Sequence, residues 1–118
     1  MDKKRILLVD DEDGIQLLYR GEFEDEGYLV DSARNGDEAL ARFRANPPDL
    51  VLLDINMPGL NGIEVLRQMK ELRADLPIIL CSAYPEYKQD FGSWASDDYV
   101  VKSANLDELK AVVRKHLG

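Results

Sequence analysis

Cysteine, histidine and tryptophan each occur only once in the 118 residues. The lone Cys81 excludes an internal disulfide, and its place inside an apolar run makes it a small core residue. No apolar run approaches the roughly 18 residues of a membrane span, and no signal-peptide apolar region precedes the charged start. Basic residues are outnumbered, 15 Lys and Arg against 23 Asp and Glu, for a net charge of −8. Lys3-Lys4-Arg5 is an ordinary solvated strand start. Nonspecific attraction to nucleic acid or anionic membrane is therefore disfavoured. The expectation is a soluble cytoplasmic protein with no direct nucleic-acid contact and no membrane insertion. Hydrophobic residues make up 45% of the chain, which excludes disorder. The length suits one domain with a real core and is too short for two.

What is present is a repeated pattern. Four short apolar runs each stop at a polar residue able to handle a phosphoryl group. Ile6-Leu7-Leu8-Val9 stops at Asp10-Asp11, and Leu50-Val51-Leu52-Leu53 stops at Asp54. Ile78-Ile79-Leu80-Cys81 stops at Ser82, and Tyr99-Val100-Val101 stops at Lys102. Runs of this length and composition read as buried strands of a parallel sheet. In open α/β sheets the ligand site lies beyond the carboxyl ends of the strands. Three carboxylates, a hydroxyl and an ammonium should converge there.

Between the strands the pattern turns helical. Ile15, Leu18, Tyr19 and Phe23 give the first helix a buried face, weakened by Gly14 and Gly21 at about 1 kcal/mol each relative to Ala. Gly27 stops that helix, and Tyr28-Leu29-Val30 opens a second strand. Asn35-Gly36 is a turn. Asp37 and Glu38 then start a helix carrying Ala39, Leu40 and Phe43, which Pro47-Pro48 ends. Val65, Met69 and Leu72 mark the next helix. Asn105 with Glu108 reads as a capping box for a last helix presenting Leu106, Leu109, Val113 and Leu117. The sum is a β-α unit repeated five times, a single doubly wound α/β domain over residues 1–118. The flavodoxin-like rule orders its five parallel strands 2-1-3-4-5.

Carboxylates crowded at adjacent strand ends repel one another, and a hard divalent cation such as Mg²⁺ is the usual resolution. Asp54, alone at the end of a central strand, is the best nucleophile, since carboxylates accept phosphoryl groups as acyl phosphates. Charge developing on the phosphoryl oxygens would be met by the metal, the Lys102 ammonium, and the Ser82 hydroxyl with nearby backbone N–H groups. Each residue alone has a plainer reading, a helix cap for Asp10-Asp11 or a solvated group for Lys102. Their conjunction at four strand ends carries the signal.

On these residues the chain resembles the receiver domain of two-component response regulators, the family of the chemotaxis response regulator. The likeness spans essentially the whole chain. It rests on LLVDDE with Asp10 and Asp11, LLDINMPGLNG around Asp54, Ser82-Ala83, and DDYVVK ending at Lys102. The resemblance implies that Asp54 is the phosphoacceptor. It implies that Asp11, Asp54 and the Asn56 backbone carbonyl bind Mg²⁺ (or Mn²⁺) directly, with Asp10 acting through water. Lys102 would pair with a phosphoryl oxygen, Ser82 would swing toward it, and Tyr99 would be the aromatic switch. Asn56 and Tyr84 would tune acyl-phosphate lifetime, with Tyr84 shielding the phosphoryl group from water. The implied partners are a sensor histidine kinase or phosphotransfer protein as donor and a downstream output protein or domain. The only histidine, His116, reads as an exposed residue near a helix C-terminus, so the chain looks like a phosphoryl receiver rather than a histidine donor.

Two departures from the family pattern concern output. Lys102-Ser103 replaces the usual Lys-Pro, and a non-proline cis bond there would cost about 3 kcal/mol. The segment between Ser82 and Tyr99 is short by family expectation and poorly periodic. Its helix, the fourth of five, is therefore expected to be short or irregular. Trp94 lies in it, as a packing residue or an interface anchor. Alternatives to a phosphorylation-controlled switch are three. One is the N-terminal receiver fragment of a longer DNA-binding transcriptional regulator. A haloacid-dehalogenase-type phosphotransferase or hydrolase would need a second Asp where Asn56 stands. A phosphorylation-independent interaction module would have no need of Asp10, Asp11, Asp54 and Lys102.

Overall fold

The computed structural model describes residues 3–54, 62–82, 98–101 and 106–117. Their elements alternate: β1 (Arg5–Val9), α1 (Asp13–Asp25), β2 (Leu29–Ala33), α2 (Gly36–Ala45), β3 (Leu50–Asp54), α3 (Gly62–Leu72), β4 (Ile78–Ser82), β5 (Asp98–Val101) and α4 (Asp107–Leu117). The strands form one five-stranded sheet in the order β2-β1-β3-β4-β5, and every pairing is parallel. This is the doubly wound order expected from the sequence. The segment where a short or irregular helix was expected, 83–97, lies outside the described residues, as do Trp94, Asn105 and the Lys102-Ser103 bond.

Ile6–Val9 of β1, Leu50–Leu53 of β3 and Ile78–Cys81 of β4 are unbroken apolar runs because both sheet faces are covered, while the edge strand β2 carries Asp31 and Ser32. Side chains alternate across the sheet with period two. Leu7, Val9, Val51, Leu53, Ile78, Leu80 and Tyr99 pack on one side with Ala39, Leu40 and Phe43 of α2 and Val65, Leu66 and Met69 of α3. Ile6, Leu8, Leu50, Leu52, Ile79, Cys81 and Val100 pack on the other with Tyr19 and Phe23 of α1 and Leu109 and Val113 of α4. Two ion pairs tie α1 and its C-cap residue Glu26 to α4: Lys110 to Glu22 at 2.6 Å and Arg114 to Glu26 at 2.7 Å.

Local signals set the helix ends. Gly27 adopts φ +98°, a left-handed conformation that closes α1 as glycine readily does. Asn35 is more than a turn residue: its side chain accepts the Glu38 N–H at 2.8 Å and caps α2. Asp37 and Glu38 then lie in the first turn, where carboxylates suit the helix dipole.

Helix phase departs from the sequence expectation in two places. On α1 the sheet-facing residues are Gln16, Tyr19 and Phe23, while Leu18 is 43% exposed and Ile15 is only half-buried. The polar Gln16 takes the inward position because strand-end carbonyls satisfy its amide, which places Leu18 on the outer side. On α3, Leu66 joins Val65 and Met69 in the core, and Leu72, in the last turn, is 49% exposed. In α4, Leu117 is partly buried at the end of the face formed by Leu109 and Val113.

Candidate functional site

Strand register brings Asp10, Asp54 and Ser82 to one end of the sheet. Val9 stands opposite Leu53, so Asp10 follows β1 beside Asp54, the last residue of β3. Asp54 is in turn opposite Cys81 on β4, and Ser82 follows opposite Val101 on β5. Lys102 is the next residue in sequence after Val101 and, with Asn56 and Tyr84, lies outside the described residues. Tyr99 is buried in the core beside Leu80, its register partner.

Among the described residues only three polar or charged side chains are buried: Asp10 at 2%, Asp54 at 3% and Gln16 at 7% exposed. All three stand at the carboxyl ends of β1 and β3 or directly over them. A buried carboxylate is costly unless it is hydrogen-bonded or shared with a cation. Asp10 accepts the Glu12 N–H at 2.9 Å, a local turn that sets its carboxylate direction. Its own N–H donates to the Ala33 carbonyl of β2 at 3.0 Å.

Carboxylate oxygens of Asp10, Asp11 and Glu12 lie within 4.8 Å of one another. Glu12 was not singled out from sequence, although the contiguous Asp-Asp-Glu run was the available signal. Asp54 stands on the neighbouring strand, outside that trio. The donor set is made of hard carboxylate oxygens, with the buried Asp54 on the neighbouring strand, and this chemistry suits Mg²⁺ or Mn²⁺. A separate groove of about 370 Å³, lined by Asp13, Gln16, Leu17, Arg20, Ser32 and Arg34, holds none of these carboxylates. Asp13 and Arg34 form an ion pair in it. Among the described residues, only the acidic strand ends bring buried charges together.

Gln16 was missed in the sequence, where a lone Gln on a helix reads as a solvated residue. Its Nε2 donates to the Asp10 carbonyl at 2.8 Å and the Ala33 carbonyl at 2.9 Å, with a longer contact of 3.4 Å to the Leu8 carbonyl. The reversed amide would point its oxygen at carbonyl oxygens, so this orientation is required.

A doubly wound parallel sheet with buried aspartates at its central strand ends defines a class of acid-site α/β proteins that bind ligands at the strand carboxyl ends. Comparison with known proteins narrows the class. The family model for the response regulator receiver domain matches residues 6–114, and the chain belongs to that family. It is therefore a receiver domain of two-component response regulators. It is 37% identical over 119 residues to sporulation initiation phosphotransferase F of Bacillus subtilis, covering 99% of this chain and 96% of that protein. It is 43% identical over 121 residues to the transcriptional regulatory protein ResD of the same organism, covering 97% of this chain but only 50% of ResD. Among solved structures, the response regulator TrrA of Thermotoga maritima in complex with Mg²⁺ and BeF is 52% identical with a TM-score of 0.90. That match covers 95% of this chain and 97% of TrrA. TrrA bound to the histidine kinase ThkA matches with a TM-score of 0.89 at 51% identity, covering 98% of this chain and 99% of that one. Among the described residues no helix is long and apolar enough to cross a membrane.

Proposed function

We propose that the chain is a phosphorylation-controlled switch in which Asp54 accepts a phosphoryl group. The observation that carries this reading is the pair of buried aspartates, Asp10 and Asp54, side by side at the ends of β1 and β3. On this reading residues 1–118 act as one cytoplasmic receiver domain. Its donor is a phosphohistidine on a sensor kinase or phosphotransfer protein, or a small acyl phosphate. A carboxylate oxygen of Asp54 forms the new bond to phosphorus as the donor's bond breaks, and the donor leaves with its electron pair.

Asp11, Asp54 and the Asn56 backbone carbonyl would hold Mg²⁺ or Mn²⁺ directly, with Asp10 acting through water. When bound, the cation neutralises the carboxylates and takes up charge on a phosphoryl oxygen. Lys102 pairs with another phosphoryl oxygen and Ser82 hydrogen-bonds the third. Asn56 and Tyr84 flank the acyl phosphate and set how fast water reaches it. Ser82 and Tyr99 relay the phosphorylated state to the partner-binding surface. The coupling is a population shift, in which the phosphoryl group favours one of two arrangements. The output is a partner protein or a further domain. ResD, at twice this chain's length, is a transcriptional regulator.

Incubation with acetyl phosphate and Mg²⁺, followed by intact-mass measurement, tests the reading. The wild-type protein should gain one phosphoryl group, and metal-free samples and Asp54→Asn should gain none. No gain in the wild type with any donor would leave a phosphorylation-independent interaction module in its place.

A further inference from the structure

We propose that Gln16 is a positioning residue for the acidic site. It holds the Asp10–Asp11 peptide at the angle that lets the two carboxylates share a cation. The inference rests on the metal-assisted reading above and adds to it a residue from α1.

The geometry is specific. Nε2 carries two hydrogens, and its two short contacts are the carbonyls of Asp10 and Ala33, at 2.8 and 2.9 Å. The Asp10 carbonyl belongs to the peptide that joins Asp10 to Asp11. Holding its plane fixes the direction in which the Asp11 Cα, and so its carboxylate, leaves the end of β1. The Ala33 carbonyl also receives the Asp10 N–H, at 3.0 Å. Asp10 is thus held at its own N–H and at its own C=O against the end of β2. Its carboxylate is held separately by the Glu12 N–H, at 2.9 Å. Remove Gln16, and the Asp10–Asp11 peptide loses the donor that fixes its plane.

A packing role alone does not account for this residue. The neighbouring inward positions of α1 are Tyr19 and Phe23, and an apolar side chain would continue that face. Instead an amide is buried, and its Oε1 has no hydrogen-bond partner among the described residues. Nε2 satisfies the Asp10 and Ala33 carbonyls, while the buried Oε1 carries a desolvation cost that an apolar side chain of similar volume would not. Its return is control of the peptide between two metal-binding carboxylates, the way groups behind metal ligands orient them.

The test is Mg²⁺ binding by titration calorimetry on the unphosphorylated protein, with urea denaturation in parallel. Wild type should bind and Asp11→Asn should not. Gln16→Met keeps the volume and removes the donors, and should weaken Mg²⁺ binding by about tenfold or more. Gln16→Asn, with its arm shortened by one methylene, should fall between the two and serves if the methionine variant does not fold. Phe23→Leu, at the far end of α1, should lower the urea midpoint yet leave Mg²⁺ affinity within about twofold, because Phe23 makes none of these bonds. A Gln16 variant with Mg²⁺ affinity within about twofold of wild type overturns the proposal. Wild type that takes up no Mg²⁺, or Asp11→Asn that binds like wild type, overturns the metal reading and this inference with it.

Discussion

Replacing Asp10 by asparagine should stabilise the metal-free protein. The Asp10 carboxylate is 2% exposed, and its oxygen lies within 4.8 Å of those of Asp11 and Glu12. Two unit charges at that distance repel by about 0.9 kcal/mol even at the dielectric constant of water. Two such pairs give roughly 1.7 kcal/mol of repulsion removed by the substitution. Asparagine keeps an oxygen for the Glu12 N–H, but a neutral acceptor is weaker than a carboxylate, which returns roughly 0.5–1 kcal/mol. From these contacts alone the net is a gain of about 1 kcal/mol, a rise of roughly 0.3–1 M in the urea midpoint. Mg²⁺ should erode the advantage. At a hundredfold excess over its dissociation constant it stabilises the wild type by about 2.7 kcal/mol. The variant, having lost one of the crowded carboxylates, should gain less, so the two unfolding curves converge. Urea denaturation followed by far-UV circular dichroism, in chelator and in excess Mg²⁺, measures both effects. An Asp10→Asn protein less stable than wild type in chelator would refute the charge-crowding argument. So would equal Mg²⁺ stabilisation of both proteins.

Phe23 is fully buried and meets Tyr28 with ring centroids 6.3 Å apart, so Phe23→Ala should cost about 3–5 kcal/mol in urea unfolding. Asn35→Ala removes the acceptor of the Glu38 N–H and should cost about 1 kcal/mol. The Glu22 carboxylate beside Lys110 holds its ammonium above the ordinary value of 10.5. Because the folded-state value is raised, that contribution is complete below 10.5 and is lost as pH rises past it. The urea midpoint of wild type should fall in that alkaline range, and part of the fall should disappear in Lys110→Met.

The sheet was legible because strands covered on both faces are written as unbroken apolar runs. Ile6 to Val9 and Leu50 to Leu53 have no alternation to misread, and each ends in an aspartate that β1 and β3 bring together. The right-handed crossover rule then leaves few topologies. Helix phase was less legible. Reading faces from apolar residues alone put Leu18 and Leu72 inward, whereas the folded chain turns Gln16 and Leu66 inward. Gln16 goes inward because three carbonyls at the ends of β1 and β2 stand over that position, an attraction that no hydropathy pattern records. Asn35 read as a turn residue because its capping bond depends on where α2 begins, which the sequence marks only to within a residue or two. The same limit applies to Glu12, whose proximity to the Asp10 and Asp11 carboxylates depends on the turn between β1 and α1.

The central claim is that Asp54 is the residue that takes the phosphoryl group. Borohydride reduces an aspartyl phosphate to homoserine, so peptide sequencing after acetyl phosphate and Mg²⁺ treatment reads the modified position directly. The account predicts homoserine at position 54 alone, and none when Mg²⁺ is chelated. Homoserine at Asp10 or Asp11, or at no position in the presence of Mg²⁺, would contradict it.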